Sequence, residues 1–230
     1  MIVQGDRIAV GVSGGKDSMA LVTALAKLMQ FYPIPFDLQA IHVDLGLPGH
    51  NAQAIEAYCN ELGVPYIRIE TQISEVILNT SGSKSPCAMC AYLRKGALYQ
   101  MARELGIGVI AYAHHKDDFV ATTMMQLMYE GQFASLEPSF ILDAPTDSSE
   151  PMVEKQQMQG DIRVIRPLLY LSEAEIRGYV NKYQIPVVKS KCPADGCTKR
   201  TYAENLLNEI NKDVPGVKDK IFTAIKKKIF

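Results

Sequence analysis

Long apolar runs, a charge excess and internal repeats are all missing from this chain of 230 residues. No stretch approaches the ~18 consecutive apolar residues that cross a bilayer. Met1–Arg7 has no cationic segment followed by a hydrophobic one, so neither a membrane span nor a secretory signal is expected. The formal net charge is -1, which excludes a protein that coats nucleic acid over its whole surface but leaves room for a local basic face. Cysteine is scarce and odd in number, at 5, and without an export signal that argues against a disulfide framework. The expectation is a soluble cytoplasmic protein. Its 47% hydrophobic content suffices for a sizeable core and excludes intrinsic disorder.

The pattern along the chain alternates between two periods. Arg7–Val12 is a short β-branched run that reads as a buried strand, and Asp17–Gln30 carries apolar residues at helical spacing. Phe36–Val43 and Tyr66–Ile69 read as further strands, with a helix around Asn51–Leu62 between them. Cys90–Leu105, Asp117–Tyr129 and a segment from Ser172 to about Tyr183 predict helices; Val109–Ala113 and Val164–Leu168 predict strands. Ser172 and Glu175 have capping-box spacing. Strands separated by helices of this length imply parallel pairing through right-handed crossovers, hence a doubly wound α/β sheet. One domain is expected over residues 1–230, with a polar loop or hairpin at about 143–161 and C-terminal helices from about 200. Met124, Met125, Leu127 and Met128 read as core packing.

Ser13-Gly14-Gly15-Lys16-Asp17-Ser18 lies between the first strand and the first helix. Two glycines let backbone amides turn toward an anion, and the helix adds its positive end. Lys16 supplies a mobile charge, and Ser13 and Ser18 supply hydroxyls. It is not a Walker loop: Val10 stands where that loop needs glycine, and Asp17 where it needs serine or threonine. Nor does a glycine follow Gly15 at dinucleotide-fingerprint spacing. In this place the hexapeptide resembles the pyrophosphate-loop (PP-loop) ATPases, which split ATP into AMP and pyrophosphate while adenylating an oxygen of the acceptor.

Cys87 and Cys90 form a Cys-x-x-Cys pair at the start of a helix, a position that lowers a thiolate pKa. With Cys192 and Cys197 they could make a four-ligand zinc site; three of them could instead hold an iron–sulfur cluster with one iron open. Cys59, on the apolar side of a helix, reads as an ordinary buried thiol. The segment Pro86–Tyr99 is similar to the Pro-Cys-x-x-Cys-x-x-x-Arg-[Arg/Lys]-Gly-x-Leu-Tyr element of the tRNA 2-thiocytidine synthetase family. Ala113-His114-His115-Lys116-Asp117-Asp118, Val164–Leu168 and the cysteine after Pro186 match it as well, so the resemblance runs from about Arg7 to Cys197.

That resemblance implies an adenine nucleotide alpha hydrolase-like fold, with ATP and magnesium as cofactors. It also implies a 4Fe-4S cluster on Cys87, Cys90 and Cys192, with Cys197 as a possible replacement ligand or resolving thiol. The implied reaction is thiolation of a cytidine in tRNA, in the anticodon loop. ATP lies over Ser13–Ser18, the base carbonyl is adenylated, and sulfur displaces AMP. A cysteine desulfurase or another donor would supply the sulfur, and a homodimer is compatible. Asp44, at the carboxyl end of the second strand, is a candidate for magnesium or for orienting the acceptor, and equally for a turn or cap. Of Asp117 and Asp118 one is expected to face the site and one to cap its helix, with Asp117 favoured by resemblance for magnesium or proton handling. His114 and His115 are candidates for phosphate or adenine contact; Arg94 and Lys95 for phosphate charge, on the nucleotide or on RNA. Lys189, Lys191, Lys199, Arg200 and Lys226–Lys228 suggest a basic edge. Two other readings fit the residues less well: transfer of sulfur or nitrogen to a small molecule or protein, and a non-catalytic iron–sulfur or zinc module.

Overall fold

The structure is a computed structural model that describes residues 1–49, 51–79, 86–142, 162–189, 192 and 198–230. The polar segment 143–161, Lys191 and Cys197 lie outside the described residues.

Among the described residues, six strands form one sheet in the order β3-β2-β1-β4-β6-β5. They are β1 (Arg7–Gly11), β2 (Asp37–Asp44), β3 (Tyr66–Glu70), β4 (Val109–Ala111), β5 (Ser139–Leu142) and β6 (Ile162–Ile165). All pairs are parallel except β5–β6. In β1, Ile8, Ala9 and Val10 are fully buried, as a strand covered on both faces requires. Alternation then sorts them. Ile8 and Val10 face α1 (Lys16–Leu28), α2 (Ala52–Glu61) and α6 (Glu173–Lys182), through Met19, Leu25, Ile55 and Ile176. Ala9 shares the other face with Ile41, Ile110 and Ile162, under Leu98 and Ala102 of α4 (Pro86–Glu104).

A third apolar cluster stands beside the sheet. Phe119 and Val120 of α5 (Lys116–Met125) pack with Leu207 of α7 (Lys199–Asp213) and with Phe222 and Ile225 of α8 (Val217–Ile229). The C-terminal helices are thus held to the helix that begins at Lys116, next to the His114-His115 pair. The expected capping box is present, with Ser172 Oγ accepting from Glu175 N–H and Glu175 accepting from Ser172 N–H at 2.7 Å.

Three local features differ from the sequence expectation. A short helix, α3 (Ile73–Asn79), and the antiparallel edge strand β5 are elements to which the sequence pattern assigns no structure. Both are short, and a 4-residue strand leaves too few alternations to register as a period. The helix expected to run to Tyr129 gives way to a π-helical turn over Gln126–Glu130, closed by Gly131 in the left-handed region. A π turn shifts helical phase, so the apolar stripe rotates out of the core. Met124 packs as expected, but Leu127 and Met128 are 45% and 38% exposed.

The chain order matters most at β1. From β1 the chain passes to β2 and then β3 on one side, while β4 and β6 lie on the other. This is a topological switch point, where loops leaving the carboxyl ends of β1 and β4 diverge and open a crevice. The segment after α6 crosses it: Val188 N–H donates to Gly14 carbonyl at 2.9 Å. Gly14 has φ +82, and a Cβ there would meet Ile55 Cδ1 and Val188 Cβ at 2.9 Å. Gly14→Ala is therefore expected to cost about 2–4 kcal/mol in urea unfolding, combining left-handed strain with overpacking. Gly49→Ala, at φ +72 with nothing within 4 Å, serves as the reference carrying strain alone.

Candidate functional site

The loop after β1 is tied by its own hydroxyls. Ser18 Oγ accepts from Ser13 N–H at 3.1 Å and donates to Gly15 carbonyl at 3.0 Å; Ser13 Oγ lies 3.2 Å from Ser18 Oγ. Gly15 is the N-cap of α1 and offers no side chain to its leading amides. Those amides and the helix dipole suit an anion. Beneath the loop, His42 Nδ1 lies 2.7 Å from Val12 carbonyl.

Around Lys16 the charges are dense. Its Nζ lies 3.0 Å from Asp17 Oδ2 and 3.1 Å from Glu173 Oε1 at the start of α6. His115 is buried, with Nε2 3.7 Å from Asp17 Oδ1 and Nδ1 3.6 Å and 3.8 Å from Asp118 and Asp117. Asp17 Oδ1 and His115 Nδ1 are both sealed from solvent without a hydrogen-bond partner among the described residues. Two orphaned polar atoms beside an open phosphate-type loop fit a nucleotide and its cation, which would bring the missing partners.

Asp117 and Asp118 divide their work. Asp118 caps α5 by accepting from His115 N–H at 2.6 Å and pairs with Arg200 of α7. Burial holds its pKa above the usual carboxylate range. Asp117 accepts from Glu173 N–H at 2.8 Å and from Lys218 of α8 at 3.1 Å. Burial would raise its pKa, but those two bonds and the charge of Lys218 outweigh it and hold the carboxyl below the usual range. Asp44 stands at the rim, yet both its oxygens are engaged: Oδ1 by Gly46 N–H at 2.9 Å, Oδ2 by Arg68 Nε and Nη2 at 2.9 and 2.5 Å. Burial is again outweighed, here by the Gly46 amide and then Arg68, and its pKa is held down. As folded, Asp44 braces the β2–β3 edge, and a role toward magnesium or the acceptor would require it to release Arg68.

The cysteines approach the same rim from two elements. Cys87 is exposed and Cys90 half-buried in the first turns of α4, and Cys192 is half-buried on the segment that Val188 pins to Gly14. Cys90 lies within electrostatic reach of Cys192, Cys87 and Arg94. Its thiol pKa is raised rather than lowered, because burial outweighs the Arg94 charge; the helix-start argument alone gave the wrong sign. No group of three or more ligand-type side chains among the described residues is drawn in to metal-holding spacing. The donors within electrostatic reach of Cys90 are nonetheless soft: Cys87 and Cys192, the thiols that suit a thiolate-bound centre. Cys59 is buried in the core, with its thiol pushed up to about 11 by burial.

Residues 3–209 match the PP-loop domain family. The chain is 34% identical over 228 residues to a tRNA-cytidine(32) 2-sulfurtransferase of Pelobacter propionicus, covering 98% of this chain and 79% of that one. A protein of the same name from Geobacter sulfurreducens is also 34% identical, over 98% of this chain and 83% of its own length. The chain belongs to the tRNA 2-thiocytidine synthetase family of PP-loop proteins. In fold it is similar to the U34-tRNA thiolase NcsA of Methanococcus maripaludis, solved with its [4Fe-4S] cluster. The TM-score is 0.75 at 23% identity, over 99% of this chain and 72% of that one.

Several neighbours of this PP-loop site escaped the sequence reading. Arg68 looked like one position of a plain strand, and Glu173 like part of a helix start. Lys218 lies 101 residues from the Asp117 it contacts. The one local signal was Arg166, a single arginine inside the apolar run Val164–Leu168. It is buried, bonds Glu137 carbonyl through Nη1, and donates from Nε to His114 Nδ1 at 3.0 Å. Arg200, expected on a basic edge, instead turns to Asp118 and Glu204. Lys199 lies over the Tyr129 ring and Lys226 beside Tyr170 and Phe222.

Because Arg166 has no acceptor, the bond to Nδ1 fixes the His114 tautomer with its proton on Nε2. Burial, then the positive charges of Arg166, Arg200 and Lys95, lower its pKa to about 3. His114 is therefore a neutral donor, not a proton shuttle. Nitrogen-15 NMR is expected to show the Nε2–H form unchanged from pH 8 to pH 5. A folded pKa below the ordinary value of 6.5 means the unfolded chain binds the extra proton, so stability falls as pH drops from about 6.5 toward 3. His114→Gln, which cannot titrate, is expected to reduce that acid-side loss in urea unfolding across the same window.

Proposed function

We propose that the chain is an ATP-dependent tRNA thiolase that converts a cytidine to 2-thiocytidine, at position 32 as the names of its relatives specify. The observation that carries the reading is the convergence of two chemistries at one switch point. The phosphate-type loop Ser13–Ser18 follows β1, and Val188, bonded to that loop, leads directly to Cys192 near Cys90 and Cys87. An activating site for oxygen and a thiol-lined site for sulfur thus share one rim.

The triphosphate lies over Ser13–Ser18, with the α1 amides and Lys16 countering its charge, and magnesium beside Asp17 and Asp117. The cytosine carbonyl oxygen attacks the α-phosphorus, the bond to the β-phosphate oxygen breaks, and pyrophosphate leaves. The base is now adenylated at that oxygen. A sulfide-level sulfur forms the new bond to the same carbon, and the carbon–oxygen bond breaks with its electron pair going to AMP. Adenylation is needed because oxide is a poor leaving group. When bound to Cys87, Cys90 and Cys192, a 4Fe-4S cluster would hold that sulfur at an open iron. Arg94 and Lys95, on the same helix as the cysteine pair, hold phosphate charge near the acceptor. His115 orients Asp17 and meets the nucleotide. A cysteine desulfurase or another donor renews the sulfur, the work takes place in the cytoplasm, and residues 1–230 act as one PP-loop domain.

Anaerobically purified protein given ATP, magnesium, sulfide and tRNA is expected to form 2-thiocytidine, detected by nucleoside mass spectrometry, with AMP released in equal amount. Cys87→Ala, Cys90→Ala and Cys192→Ala are each expected to lose the iron, about four per chain in the unmodified protein, together with product. Lys16→Met should keep the iron and lose product formation by about 10²–10³-fold. One zinc and no iron in the unmodified protein would overturn the reading, and retention of iron by Cys192→Ala would remove that residue from it.

A further inference from the structure

Lys16 presents three N–H donors and one positive charge to the loop where a polyanion is to bind. That charge is countered twice within the protein, by Asp17 at 3.0 Å and by Glu173 at 3.1 Å. The two carboxylates are not equivalent. Asp17 is the next residue on the same helix, and its other oxygen is buried 3.7 Å from His115. It stays wherever the loop stays. Glu173 comes from another element, and its side chain is 43% exposed. Its backbone is fixed, because its N–H is held by Asp117 at 2.8 Å and its helix by the Ser172–Glu175 box. Only the side chain is free to turn away.

A phosphate reaching Lys16 Nζ meets the Glu173 carboxylate at ion-pair range, and the two anions repel. We infer that Glu173 is a stand-in anion for the nucleotide: it occupies the phosphate side of Lys16 when the loop is empty, withdraws when ATP binds, and so sets the affinity for ATP and pyrophosphate. The inference rests on the PP-loop reading above and adds the residue that tunes it. The pKa directions agree with the pairing. Burial would lower that of Lys16, but the two carboxylates keep it raised; burial would raise that of Glu173, but the bond and charge of Lys16 keep it lowered. The return of Glu173 also has a use after the chemistry. Pyrophosphate leaves the same cation, and an internal carboxylate that reclaims Lys16 favours its departure without a change in the backbone.

The test is titration calorimetry on the full-length protein, which needs no cluster and no RNA. Glu173→Gln keeps the shape and removes the charge; Glu173→Asp keeps the charge but shortens its reach. Both are expected to bind magnesium–ATP and magnesium–pyrophosphate about 2- to 5-fold more tightly than the unmodified protein, the scale of one partly exposed ion pair. In turnover, Glu173→Gln should lower KM for ATP and lower kcat together, as slower pyrophosphate release would. Equal affinity would make Glu173 a bystander, and weaker affinity in Glu173→Gln would make it a group that serves the bound state; either result overturns the inference. If the unmodified chain binds no ATP while it remains folded by circular dichroism, the thiolase reading falls as well.

Discussion

The parallel pairing of β1 on both its edges is the constraint on which the rest of this structure depends. With β2 on one side and β4 on the other, β1 is buried on both faces, and its residues Ile8, Ala9 and Val10 carry no polar side chain. Its carboxyl end is also where the chain order reverses, so the loops after β1 and β4 cannot close over one another. The crevice between them follows from topology rather than from any special residue. The glycines and histidines that line it sit in short loops at the ends of rigid strands, and the lysine and aspartates open the helices that follow.

The second organising feature is a mesh of ion pairs and one backbone hydrogen bond that joins distant segments around that crevice. Lys16 reaches α6, Asp117 reaches α6 and α8, and Asp118 reaches α7. Each pair is partly buried, so its value lies in position more than in stability. Breaking one leaves a charge in a half-dry place, whereas forming it gives only a modest net gain. The same mesh explains why α7 and α8 belong with the site despite their distance from the sheet. Their apolar residues hold them to α5, and their cations, Arg200 and Lys218, meet the two aspartates that open α5.

Much of this was legible in the chain itself. Strands and helices with a clear period, such as Arg7–Gly11 and Lys16–Leu28, lie within a residue or two of where the periodicity puts them. The phosphate loop and the Cys87–Cys90 pair were readable because each is a contiguous motif whose chemistry needs its residues at fixed spacing, whereas Cys192 came only from the family resemblance. What escaped were contacts made by lone charged residues in otherwise ordinary elements: Arg68 in β3, Arg166 after β6 and Glu173 opening α6. Nothing within a few residues of any of them announces a partner. The exposed Leu127 and Met128 escaped for another reason, since a π turn changes the phase of a helix without changing its composition.

The sequence by itself determined the fold class, the position of the phosphate loop and the Cys87–Cys90 pair, because those follow from local periodicity and from chemistry written in consecutive residues. Tertiary structure alone decided which acids are free to act. Asp44 is committed to Arg68 and Gly46, Asp118 to its own helix and Arg200, while Lys16 is shared between Asp17 and Glu173. It also decided the opposite states of two adjacent histidines, one fixed as a neutral donor by Arg166 and one set among three carboxylates. The reason is physical: a charge is defined by its surroundings at a few ångströms, and in a doubly wound sheet those surroundings are assembled from segments that lie 24 to 101 residues apart or more.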